Sequence, residues 1–281
     1  MWALDQPYAT RTERLLADTP LALLAALAVG AMVAAFLVDA SLLPARALRV
    51  VGVSTGHGAL LATALAWGRV DFAAGLIAIA LLGLAAAASS LGTLGAAMYL
   101  APALWVFWLA ARGRLERLSL GTPVSPRAVV AGVAVGIGLS SHLLVSASRT
   151  LGVQVRVDHP AETLAAIAYD LGANVLAAEC FFRGALFNRA TRRWSFAAAA
   201  TLATAAYVVR YLLDPLLPKS IELVAGAMFY LALLGAINCW LLAWSQSLVP
   251  GLISATVFFA AYRTLGPRPN SSRRRWPPSP S

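Results

Sequence analysis

Nine apolar windows follow one another along this chain, near 20–43, 50–68, 72–90, 94–111, 128–147, 163–182, 195–213, 221–244 and 248–264. Crossing a ~30 Å hydrocarbon core takes about 20 helical residues, which is the scale of each window. Inside lipid every backbone N–H and C=O must be satisfied by the protein itself, and the windows show no strand alternation, so helices are what they can form. The expected fold class is all-α, a polytopic transmembrane bundle of eight or nine helices. The count stays open because Thr55, His57 and several glycines dilute the second window and the ninth is short. Pro44, Pro123, Pro126, Pro160, Pro215 and Pro218 lie in the gaps, where helix breakers belong.

Charge usage agrees. Only 12% of residues are charged and 60% are apolar, against roughly 25% charged in soluble domains. The net charge of +10 comes from arginines gathered at 112–117, 183–193 and 263–275, gaps or tail, which reads as topology signal and not as a nucleic-acid surface. The gaps after the fourth and sixth windows fall on one side if every window spans, and that side is expected to be cytoplasmic. Nine spans would put the arginines of the tail on the other side. Lys219 is the only lysine, and this bias suggests a GC-rich bacterial genome and a bacterial plasma membrane. Cys180 and Cys239 both sit in apolar windows, so no disulfide framework is implied. Residues 1–18 carry no cleavable leader pattern and are expected to be cytoplasmic. They precede N-terminal helices over 19–117, a second helical core over 127–265 and a disordered Arg-, Pro- and Ser-rich tail over 266–281.

The stretch Ala178-Glu179-Cys180-Phe181-Phe182-Arg183-Gly184 places an acid and an arginine one turn apart between apolar flanks. A charge at mid-bilayer costs about 2.5–3.5 kcal/mol even on insertion scales, so such residues usually face a bundle interior and mark function. The segment resembles the Glu-Glu-x-x-x-Arg motif of the CPBP family, the CAAX-protease and bacteriocin-processing (Abi) intramembrane peptidases. Glu179, Arg183 and Gly184 match, while Ala178 stands where the first glutamate should be. The resemblance covers roughly 160–262 and implies two further motifs. Tyr207-Val208-Val209-Arg210-Tyr211 falls on Phe-x-x-x-His, with Tyr211 in place of the histidine. After Ser247-Leu248-Val249-Pro250, the final histidine position falls on Ser254 or Ala255, and its Asn or Asp partner on Phe258 or Phe259. In the family, glutamate and the first histidine deprotonate a water and the last motif stabilises the oxyanion, contributions of general-base and electrostatic kind. The catalytic positions carried over are Glu179, Arg183 and Tyr211. No histidine follows His159, and His142, among Ser140, Ser141 and Ser146, is the one that could substitute from a preceding helix.

The residues also have plainer readings. Glu179 and Arg183 are i and i+4, the favourable order for a helical ion pair, and the arginine head at a segment end could snorkel to the interface. Arg210 and Asp214 have the same spacing. At about 100° per residue, Asp170 lies on the opposite side of its helix from Glu179, with Asn174 between them in sequence. Asn238 reads as inter-helix hydrogen-bonding glue, and Gly132, Gly136, Gly138, Gly92 and Gly95 as close-packing glycines. Tyr207 and Tyr211 share a face, and a tyrosine hydroxyl there would take Glu179 as acceptor. There is no zinc motif, nucleophile elbow or phosphate loop, so no cofactor or metal is expected. The expected surroundings are the lipid bilayer and other membrane proteins or peptides, without nucleic acid. Three functions remain: a membrane scaffold or regulator that kept the peptidase fold and lost its water-activating residues, a divergent active peptidase using Glu179, or a small transporter component.

Overall fold

The structure is a computed structural model and describes residues 44–150, 153–155, 157, 159–212 and 221–267, with single positions at 29, 33, 36, 40 and 42. The window at 20–43, residue Asp214 and nearly all of the tail lie outside the described residues. Eight apolar helices follow: α1 Arg46–Trp67, α2 Phe72–Ser89, α3 Thr93–Ala111, α4 Pro126–Thr150, α5 Pro160–Ala190, α6 Phe196–Leu212, α7 Ile221–Ser245 and α8 Val249–Tyr262. Among the described residues, six helical stretches, in all but α6 and α8, are long and apolar enough to cross a membrane. The chain is a multi-pass membrane protein built as an all-α bundle.

Local chemistry sets the boundaries. Asp71 caps α2, its Oδ1 accepting from the Ala74 amide at 2.9 Å, and Arg114 pairs with the same carboxylate from the far end of α3. The Arg114 hydrogen bond, then the Ala74 amide, hold the Asp71 carboxyl below its ordinary range. Ser125 receives the Ala128 amide ahead of the first turn of α4, and prolines occupy the first turns of α5 and α8.

Loop contacts fix which ends lie together. The Leu248 amide donates to Ser119 O at 2.9 Å, and Asn188 reaches the Ser119 hydroxyl at 3.3 Å. Both arginine-rich gaps therefore lie at one end, as the charge pattern requires. At the other end two three-residue strands pair antiparallel, β1 Val153–Val155 with β2 Leu265–Pro267, Val153 opposite Pro267. The sequence pattern had offered helices alone. These strands sit outside the apolar spans, where the demand for internal helical bonding no longer applies.

Small residues let the helices close. A Cβ on Gly172 of α5 would lie 1.5 Å from Tyr99 O of α3, and one on Gly132 of α4 would lie 2.6 Å from Pro250 O of α8. Gly136 meets Ser254 and Val257 in the same seam, whereas Gly138 has nothing within 4 Å. Of the expected close-packing glycines on α4, the first two are so used and the third is not. One buried apolar cluster joins α1, α2 and α3 to α5, with Leu61, Leu65, Leu82 and Leu109. A second joins α4 and α5 to α6, α7 and α8, with Leu139, Phe182, Tyr207, Leu234 and Phe259. α5 belongs to both.

Candidate functional site

α5 is not a uniform α-helix. It takes π geometry over Asp170–Val175 and again over Glu179–Phe187, and α1 does so over Ser54–Gly58. π turns are rare, carry an extra residue per turn and are frequent at functional sites. Each of the three segments holds buried ionisable or amide side chains: His57, Asp170 with Asn174, and Glu179 with Arg183. The extra residues per turn retard the rotation of α5, so Asp170 and Glu179 do not point to opposite sides. Both face α8, Asp170 through Arg263 at the helix cap and Glu179 beside Gly251.

The inner cluster is closed. Glu179 and Arg183 are 1% and 0% exposed, with Arg183 Nη1 3.3 Å from Glu179 Oε1. The arginine therefore does not snorkel. α5 continues to Ala190, beyond the apolar window, and buries it. Its guanidinium lies over the Tyr207 ring at 4.2 Å, so Tyr207 meets the ion pair through its ring face instead of offering its hydroxyl to Glu179. Asn238 of α7 donates from Nδ2 to Glu179 Oε1 at 3.1 Å and to Gly251 O at 3.2 Å, while Ser254 of α8 donates to Asn238 Oδ1 at 2.5 Å. Asn238 is the inter-helix glue that its residue type suggested. Gly251 and Gly235 provide the room: a Cβ would come within 3.2 Å of Glu179 Oε2 at the first and 2.7 Å of Arg183 Nη2 at the second.

The remaining motif positions gather beside this pair. Ala178, Tyr211, Ala255, Phe258 and Phe259 share one buried cluster with Tyr207 and Leu234, and the Tyr211 ring packs on Phe259 with centroids 6.2 Å apart. Ser254 turns the other way, to Asn238. Of the two histidine positions open in sequence, Ala255 lies in this cluster, and both candidate partners, Phe258 and Phe259, lie there too. His142 is exposed on α4, and its hydrogen-bond partners are the Tyr230 hydroxyl at 2.8 Å and Ser146.

A second, outer cluster was not foreseen. Arg263 binds Asp170 through Nε to Oδ2 at 2.6 Å and Nη2 to Oδ1 at 2.9 Å. Asn174 donates to Asp170 Oδ1 at 3.3 Å, and Arg210 Nη1 donates to Asn174 Oδ1 at 3.2 Å. Arg210 Nη2 lies 2.6 Å from His57 Nδ1, whose Nε2 is 2.7 Å from the Tyr169 hydroxyl. Asp170, Asn174, Arg210 and His57 are each visible in the sequence, but no local pattern joins positions over a hundred residues apart. Among the described residues, no group of three or more His, Cys, Asp or Glu is placed to hold a metal ion.

Residues 160–260 match the model of the family described as type II CAAX prenyl endopeptidase Rce1-like. The likeness to the Rce1-like family is one of this segment, which is less than half of the chain. The match begins at the first residue of α5 and ends within α8, so the Rce1-like part contains both polar clusters except His57 and the cap residue Arg263. No curated protein and no solved structure matches the chain.

Proposed function

We propose that this CAAX-protease-like membrane protein has lost peptidase chemistry and acts as a scaffold or regulator of other membrane proteins. The observation that carries this reading is the convergence of Ala178, Tyr211, Ala255 and Phe259 in one packed apolar cluster. Those are the positions at which the family resemblance expects a glutamate, two histidines and an oxyanion-binding partner. An alanine methyl and phenyl ring supply neither a base nor an oxyanion donor, and a tyrosine hydroxyl is a poor base near neutrality. Glu179, the remaining carboxylate, is tied to Arg183 and Asn238.

One observation favours the alternative of a divergent peptidase: Glu179 Oε2 has no hydrogen-bond partner among the described residues. A single experiment separates the two. The full chain is reconstituted in liposomes and incubated with farnesylated peptides ending in a CAAX sequence, beside empty liposomes and a Glu179→Gln variant whose melting curve shows that it is folded. The expected result is no product above the empty-liposome background. Product made by the wild-type chain and lost in Glu179→Gln would overturn the inactive reading and establish Glu179 as the base.

A further inference from the structure

The outer cluster holds more positive charge than its own carboxylate can meet. Asp170 is engaged through both oxygens by Arg263, which closes that pair. Arg210 enters the same cluster from the last described turn of α6, and its two partners there, Asn174 Oδ1 and His57 Nδ1, are neutral acceptors. A guanidinium has no lone pair, so His57 Nδ1 must accept. The ring proton then sits on Nε2, facing the Tyr169 hydroxyl. A histidine held this way is uncharged. Two arginines against one aspartate leave one positive charge in excess among the described residues of the cluster.

A guanidinium has five N–H donors in a planar fork suited to oxyanions. Two of those of Arg210 are committed, and they brace the fork from α1 and α5. Arg210 is half-buried, and Arg263 caps α8 at the same end of the bundle. Helix ends are where lipid headgroups lie, and arginines between spans are a recurring way of holding headgroup phosphate. We propose that Arg210, oriented by His57 and Asn174, binds a phosphate-type oxyanion, supplied by a phospholipid headgroup or as free phosphate. This site is independent of the motif positions around Ala178 and of whether they support catalysis.

The test uses the full chain, purified in neutral detergent and stripped of lipid. It is melted with dioleoyl phosphatidic acid, with dioleoylglycerol, which has the same chains and no phosphate, and with inorganic phosphate alone. Phosphatidic acid at a hundredfold excess over its Kd is expected to raise the midpoint by on the order of 5 °C, and dioleoylglycerol is not. A rise with inorganic phosphate as well makes the free ion a sufficient ligand, whereas a rise with phosphatidic acid alone assigns the lipid. Arg210→Gln should abolish the effect. If that variant does not fold, Arg210→Lys keeps the charge without the fork and should weaken the lipid Kd about tenfold. The proposal is overturned if neither phosphate source raises the midpoint, if dioleoylglycerol raises it equally, or if the Arg210 variant that folds binds as the wild type does. A rise that appears only in Asp214→Asn identifies Asp214 as the resident counter-ion and equally overturns it.

Discussion

Around Glu179 an ion pair is sealed inside four helices, with both partners essentially inaccessible and an asparagine, itself held by a serine, on one carboxylate oxygen. Around Asp170, two turns earlier on the same helix, the carboxylate is equally buried but its arginine comes from a helix cap and is 33% exposed. The difference is one of solvent access to the cation. A sealed pair has no second option, because removing either member strands the other in a low-dielectric interior. A pair with one foot in water can relax, and its cationic neighbours can take up other anions.

The largest expected effect follows from that contrast. Arg183→Leu leaves the Glu179 carboxylate uncompensated and should cost about 3–5 kcal/mol, whereas Arg263→Leu, which leaves Asp170 with Asn174 and access to water or headgroups, should cost about half as much. Thermal melts of the two variants in the same detergent decide this. Equal losses would mean that the outer aspartate is as isolated as the inner glutamate, and the contrast would fail. Next in size is Gly235→Ala. Its Cβ would lie 2.7 Å from Arg183 Nη2 and 2.9 Å from Thr204 Cγ2, an overpacking expected to cost about 1–3 kcal/mol. The same substitution at Gly138, which has open space around it, should be nearly silent by the same melt.

The smallest effect belongs to Asp71 at the arginine-rich end. Its carboxyl is held low by Arg114 and the Ala74 amide, so the stabilisation is present above the unfolded-state value near pH ~4 and fades as pH falls through the folded one. Water screens this exposed pair, and Asp71→Asn should change the pH dependence of the midpoint by the equivalent of no more than about 0.5 kcal/mol. A larger change would show that surface pairing matters here as much as the buried clusters do.

The helices were legible because lipid leaves so few options: from 50–68 onward each apolar window corresponds to a helix, and the prolines and Asp71 mark where several begin. The Rce1-like segment was legible from Glu179, Arg183 and Gly184 together with the spacing of the later registers at Tyr207–Tyr211 and after Ser247–Pro250. What periodicity could not give was the rotation inside α5. A ruler of 100° per residue assumes α geometry, and the π segment over Asp170–Val175, which has no simple residue signature, brings Asp170 round to the face of Glu179. Of the two readings open for Arg183, a bundle interior and a snorkelling head, the length of α5 decides: it runs on through Phe187 to Ala190, so a residue at the edge of an apolar window lies well inside the helix. The tie from His57 to Arg210 spans 153 positions, and sequence spacing has no access to it.

α8 supplies Gly251, Ser254 and the cap residue Arg263, which are parts of both clusters, and it is synthesised after α5. While the chain is being made, Asp170 enters the bundle without its arginine, and the Asn238 bridge lacks its serine and its Gly251 carbonyl. The order of translation therefore makes α8 the last piece of both clusters: a chain halted before residue 249 would hold Asp170 and Glu179 with unfinished surroundings.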